Sequence, residues 1–270
     1  MCSRFRNVVI AIALLCMCVG ASAQTELRVC ADGDNLPYSN QKQQGLENKI
    51  AELLARDMNA RLTYYWSRMG RGYIRDVLNA GLCDVLIEIP TDFRHALTTP
   101  SFYRSSYVFI TRKDRGLNIS SLDDERLRSL RVGVQIVAEN YSPPGRALGR
   151  RGIYSNLVGF EAAGDDAGKI VSAVANGTVD VAIAWGPLAG YYAAKQRIPL
   201  RISPVTPEVD GPGMPFTYAI SMGVKQGNIA LRDRLTQFLE RDHEQIEAIL
   251  RQYNVPLLPL RPTERASADK

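Results

Sequence analysis

Two rhythms of apolar residues alternate along this chain. Short apolar-rich runs at residues 27–31, 62–66, 84–89 and 131–137 have the length and the Val, Ile and aromatic content of strands. Between them the spacing widens: Leu46, Ile50, Leu53, Leu54 and Met58 recur at helical intervals with polar residues in between. Arg71-Gly72 opens a second helix carrying Ile74, Val77 and Leu78, with Gly81 as its stop. Strand, helix, strand, helix, strand predicts a parallel sheet with helices on both faces. Residues 107–111 read as an extended connector, and Ser120 and Ser121 with Asp123 and Asp124 as a capping signature for a short helix. Residues 203–215, rich in Pro and Gly, read as a linker returning to the first unit. Helices carrying Leu231, Leu235, Phe238 and Leu239, then Ile246, Ile249 and Leu250, follow it, and a frayed tail is predicted from residue 261.

The pattern repeats. Asn79-Ala-Gly-Leu-Cys-Asp-Val-Leu-Ile-Glu88 and Asn176-Gly-Thr-Val-Asp-Val-Ala-Ile-Ala184 each run from a helix end through a glycine into a strand. Superposing Asp84 on Asp180 aligns Gly81 with Gly177, Val85 with Val181 and Ile87 with Ile183. Arg28-Val29 and Arg131-Val132 open a strand before each copy. Two similar α/β units predict two lobes with a cleft between them: residues 24–111 with 213–270 as lobe one, and residues 112–212 as lobe two. In open parallel sheets, ligands sit beyond the carboxyl ends of the strands. Those ends carry residues 32–38, 66–73, 88–94, 135–141 and 185–192.

The first residues add a destination. Arg4 and Arg6, an apolar run at residues 8–19 and Ala21-Ser22-Ala23 form a cleavable secretory signal over residues 1–23, so the mature chain is expected to start at Gln24 in the periplasm. The apolar run is too short to span a bilayer, and the mature chain is expected to carry no membrane span. Without Arg4 and Arg6 the net charge falls from +5 to +3. No basic run with interleaved aromatics points to nucleic acid. Cys30 and Cys83 are the cysteines left after cleavage. In an oxidising compartment they read either as a disulfide, if their strands are neighbours, or as two buried thiols. A bridge closing that loop stabilises by roughly 4 kcal/mol.

Chemistry is sparse. His95 and His243 have no second ligand at metal spacing, and no nucleophile elbow, phosphate loop or dinucleotide fingerprint appears. Glu88 with Asp92 could be drawn as acid and base, but ordinary loop carboxylates describe them better. The reading is of a protein that is not an enzyme. The candidate cleft residues are Tyr38, Trp66, Arg68, Arg71, Tyr73, Arg94, Tyr141 and Trp185, aromatic walls with guanidinium groups that suit small polar or anionic solutes. Arg94 and Trp185 stand out because they closely follow the repeat strands.

Asn35-Leu-Pro-Tyr-Ser39, the helix from Gly45, Asp84-Val-Leu-Ile87, Ser101-Phe-Tyr-Arg104 and Gly133-Val-Gln135 resemble segments of type II periplasmic solute-binding proteins, the amino-acid binders of family 3. The resemblance implies an α/β fold of two lobes, each a mainly parallel sheet flanked by helices, joined by two hinge connectors. In that family an arginine after the first repeat strand holds the ligand carboxylate, and Thr91-Asp-Phe-Arg94 is similar to that segment. The aspartate used for the ligand ammonium is replaced by Trp185 in Ala182-Ile-Ala-Trp-Gly-Pro187. A narrower resemblance is carried by Arg28-Val-Cys-Ala-Asp32, Asn35-Leu-Pro-Tyr-Ser-Asn-Gln-Lys42, Leu46-Glu-Asn-Lys-Ile-Ala-Glu-Leu-Leu54 and Arg71-Gly-Tyr-Ile-Arg75. Leu78-Asn-Ala-Gly-Leu-Cys-Asp84, Tyr103-Arg-Ser-Ser-Tyr-Val-Phe109, Ala138-Glu-Asn-Tyr141 and Pro143-Pro-Gly-Arg-Ala147 extend it. Together these resemble the quinoprotein-dehydrogenase-associated binding proteins, the J-proteins of methanol-oxidation gene clusters. Ser67 and Arg68 depart from a Trp-Pro pair that is usual there, and Arg94 from an acidic residue.

That resemblance implies a periplasmic helper of a pyrroloquinoline-quinone (PQQ) alcohol dehydrogenase, with the dehydrogenase and its cytochrome c as partners and no cofactor of its own. The alternative is the capture component of an ABC importer for a small organic solute. Methanol itself is an unsuitable cleft ligand: two heavy atoms at about −1.5 kcal/mol each give weaker than millimolar binding.

Overall fold

The computed structural model describes residues 25–91, 93–137, 139–211 and 213–265. The signal sequence read at residues 1–23, Asp92, Ala138 and the last five residues lie outside that range, as does Pro212.

Lobe one begins with β1 (Glu26–Ala31), α1 (Leu46–Asp57), β2 (Arg61–Trp66), a π-helical turn at Ile74–Leu78 and β3 (Val85–Pro90). β1 runs parallel to both neighbours, Leu27 opposite Leu62 and Val29 opposite Val85. The second predicted helix is a single turn because Gly72 and Gly81, at φ 84° and 77°, close the chain on both sides of it. β4 (Tyr103–Arg112) then carries the chain into lobe two, made of β5 (Val132–Val137), α2 (Pro143–Arg150), β6 (Leu157–Glu161), α3 (Lys169–Ala175), β7 (Val181–Trp185), α4 (Gly186–Ala193) and β8 (Leu200–Pro204). β9 (Thr217–Val224), α5 (Ile229–Arg241), α6 (His243–Gln252) and α7 (Pro262–Arg265) complete lobe one.

The strand order is β6-β5-β7-β4-β9-β3-β1-β2, with β8 also on β4. The residues expected as a connector at 107–111 are the second half of β4. Its first half, from Tyr103 to Ser106, pairs antiparallel with β9. From Tyr107 onward it pairs with β7, and from Val108 with β8. One strand thus belongs to both lobes, and residues 205–216 make the return crossing.

Each lobe has its own core. Leu46, Ile50, Leu54, Leu235, Phe238, Ile246 and Leu250 from α1, α5 and α6 close over Val29, Val85, Ile87 and Met222. Lobe two packs Phe109, Val134, Leu148 and Ile183 on one face and Ile110, Val171, Ala182 and Leu188 on the other. On the second face of lobe one, Cys30 and Cys83 form a disulfide, Cα atoms 5.3 Å apart, among Val77, Leu78, Leu86 and Ile89. Neighbouring strands β1 and β3 bring the pair together, which decides between the two readings of those cysteines.

The repeat has a physical meaning. Arg28 donates from its backbone N–H, Nε and Nη2 to Asp84, and its Nη1 reaches the Gly81 carbonyl. Arg131 makes the matching contacts to Asp180 from its backbone N–H, Nε and Nη2, and its Nη2 also reaches the Gly177 carbonyl. In each lobe, one arginine ties the start of a strand to the turn that opens its neighbour.

Two further expectations need correction. Asp124, not Ser120 or Ser121, caps the short helix, a 3-10 turn at Glu125–Arg128, by accepting from the Arg126 N–H. Residues 261–265 are not a frayed tail: α7 is anchored because the Glu264 carboxylate pairs with Arg104 and its carbonyl accepts from Ser101.

Candidate ligand cleft

The two sheets meet at an aromatic contact. Trp185 ends β7 and begins the turn into α4, where its backbone N–H donates to Gln135 Oε1 at 2.7 Å. Its indole lies edge-on to Tyr107, centroids 5.5 Å apart, and to Tyr218 at 5.6 Å. Trp185 and Tyr218 are half-buried and pack against the cores of both lobes. Such edge-to-face contacts fix ring orientation as well as burying area. Burial raises both phenols, and the exposed Arg146 near the start of α2 opposes that rise in each.

Tyr38 reaches the same region from lobe one. Burial raises its phenol well above the usual range, as do Glu88 and Glu47 of lobe one and Tyr107 and Tyr192 toward lobe two. The lobes also touch directly, Tyr192 Oη donating to the Leu36 carbonyl at 3.3 Å. Trp66, at the end of β2, is half-buried and stacks on Tyr64 at 4.5 Å. Asp32, after β1, accepts from the Asp34 and Met69 N–H groups and so holds the loop that carries Arg68 and Arg71, both exposed.

The remaining expected residues do not join this set. Tyr73 is buried against the disulfide. Tyr141 is exposed on the hairpin that pairs with the end of β5. Past Pro90 the chain doubles back, so the Arg94 carbonyl accepts from Gln226. Gln226 lies two residues beyond Val224, which pairs with Val85 at the amino end of β3. The backbone of Arg94 therefore sits far from the carboxyl ends. Among the described residues, no group of three His, Cys, Asp or Glu side chains could hold a metal ion, and no helix is long and apolar enough to cross a membrane.

Residues not among the eight candidates are Tyr107, Tyr218, Arg146, Glu47 and Gln135, although Gln135 opens the 135–141 segment. A signal existed for two of them. Glu47 shares the helical face of Ile50, Ala51 and Leu54, and Gln135 interrupts an apolar strand.

Behind the cleft, both crossings are tied to the C-terminal segment. Arg104 on β4, 6% exposed, pairs with Glu208 at 2.5 Å and Glu264 at 3.3 Å, and Arg261 also pairs with Glu208. Ser105 Oγ donates to the Pro256 carbonyl and the Leu258 N–H to the Arg104 carbonyl. A methyl group on Gly190 would lie 1.8 Å from the Asn254 carbonyl oxygen, so only glycine lets α4 approach this segment.

No protein-family model matches the chain. Protein MoxJ of Methylorubrum extorquens is 36% identical over 252 residues, which cover 87% of this chain and 82% of that protein. The crystal structure of periplasmic binding protein XoxJ from Methylobacterium extorquens AM1 is 32% identical, with a TM-score of 0.72 over 87% of this chain and all of that one. MxaJ from Methlophaga aminisulfidivorans MPT superposes with a TM-score of 0.75 at 26% identity, covering 86% of this chain and all of that one. With the two-lobed sheet, the double-lobe strand β4 and the interlobe aromatic contact in place, the chain belongs to the MoxJ family of periplasmic-binding-protein-like proteins.

Proposed function

We propose that this protein is a periplasmic, non-catalytic accessory of a PQQ-dependent alcohol dehydrogenase, acting on the enzyme itself or during its maturation. The observation that carries the reading is MoxJ family membership over 87% of the chain, together with the ordered J-protein strings. Lobe closure about β4 and the 205–216 crossing supplies the motion. The limit on methanol affinity places the action on a macromolecule or a larger ligand rather than on the alcohol.

Deleting the gene is expected to leave the dehydrogenase polypeptide at its normal level while alcohol-dependent dye reduction falls sharply, restored by this chain in trans. Unchanged oxidation in the deletion strain contradicts the reading. The importer alternative draws support from the partly exposed rings between the lobes and predicts growth loss on one solute with alcohol oxidation intact.

A further inference from the structure

A cavity of about 670 Å³ lies between α5, α6 and the C-terminal segment, and none of the interlobe rings Trp185, Tyr218 and Tyr107 lines it. Its volume is that of a pocket for a small organic ligand. Leu239 of α5 with Ile246 and Leu250 of α6 form a buried apolar floor. Ile246 and Leu250, four residues apart, share one face of α6. The opposite wall is residues 257–260, where Leu257, Leu258 and Leu260 are half-buried. Pro256 and Pro259 lack the N–H groups that a ladder or helix would need, so this stretch runs as irregular chain.

The wall is pinned at both ends and in the middle. The Val255 N–H donates to the Leu250 carbonyl at 3.0 Å and the Leu258 N–H to the Arg104 carbonyl at 2.8 Å. Beyond the wall, α7 is held by the Arg104–Glu264 pair and by Ser101 Oγ on the Glu264 carbonyl. These ties hold the wall against β4, and the cavity between it and the helices is preformed.

Charge at the lining is one-sided. Arg104, its one Arg or Lys among the described residues, is taken by Glu208 and Glu264. Glu247 is paired with Arg251 one turn along α6. Glu240, at the end of α5, is exposed, and among the described residues its carboxylate has no ion pair or hydrogen bond. The contact of this residue is at its backbone carbonyl, with His243 Nδ1 at 3.2 Å. An apolar floor beside an unpaired carboxylate suits a ligand with an apolar body and a cationic end.

We propose that this cavity is a binding site for a cationic amphiphile, whose alkyl chain lies on Leu239, Ile246 and Leu250 beneath the 257–260 wall and whose ammonium end meets Glu240. The site is separate from the interlobe contact and stands whether or not the protein serves a dehydrogenase.

The test is titration calorimetry of the mature chain with n-octylammonium chloride, 1-octanol and sodium octanoate, three heads on one chain length. Octylammonium is expected to bind one to one with a Kd below about 1 mM, octanol about threefold more weakly, and octanoate most weakly. Glu240→Gln is expected to bring octylammonium down to the level of octanol and leave octanol unchanged. Thr236→Phe adds a ring at a half-buried lining position of α5 and is expected to weaken octylammonium and octanol at least tenfold, with the urea midpoint showing the fold retained. Leu260→Trp fills the cavity from the opposite wall with the same expected loss, and decides the matter should the first variant not fold. No octylammonium binding in the millimolar range overturns the proposal, as does binding that the cavity-filling variants leave unchanged. Octanoate binding as tightly as octylammonium, or an octylammonium affinity untouched by Glu240→Gln, overturns it as well.

Discussion

A single arginine–aspartate clasp, used twice, organises the residue scale. Arg131 lowers the Asp180 carboxyl to about 2, with help from Arg115 and against a smaller cost of burial. A carboxyl depressed in the folded state stabilises above its unfolded pKa and loses that contribution as pH falls through the folded one. Asp180→Asn is therefore expected to cost about 1–2 kcal/mol at pH 7. The gap to wild type should narrow between about pH 4 and pH 2, read by urea unfolding at several pH values. An equal gap at pH 7 and at pH 2 contradicts the clasp. This device was legible in the chain, because the two copies place Arg, Gly and Asp at matching positions. Glu88, by contrast, reads in the sequence as an ordinary loop carboxylate, yet it lies within β3, where a bulge between the Leu86–Gly223 and Ile89–Ser221 pairs sets its direction. The bulge that turns it depends on where β9 pairs, more than a hundred residues away.

At the scale of elements, α1, α5 and α6 announce themselves through helical spacing, and the repeat strands through their turns. β4 did not. It is buried along almost its whole length, so no alternation distinguishes a strand shared by two sheets from a connector. α7 was misread for a similar reason: Arg104 and Glu264, far apart in sequence, hold it. Replacing Arg104 with Met should cost roughly 2 kcal/mol, since Glu208 and Glu264 are left near the surface where water can reach them. It should also speed proteolysis within residues 205–216, the crossing held by Glu208. Cleavage and chemical denaturation identical to wild type contradict the view that the C-terminal segment braces both crossings.

On the scale of the whole molecule, two lobes share one strand, touch through Trp185 and Tyr218 and are braced at the back by residues 254–264. The two-lobed class was readable from the repeat alone, because each copy is a complete strand–turn unit. The composition of the cleft was not. Which side chains converge depends on strand register between lobes, and the loop bearing Arg94 turns back along β3 in a way that local pattern does not encode. The central claim is that this architecture serves a quinoprotein dehydrogenase. Biolayer interferometry of residues 24–270 against the same organism's purified dehydrogenase, at low salt and at about 0.15 M, tests it most directly. Saturable binding, micromolar or tighter and surviving at the higher salt, is the predicted result. No binding, or binding that disappears once charges are screened, contradicts it.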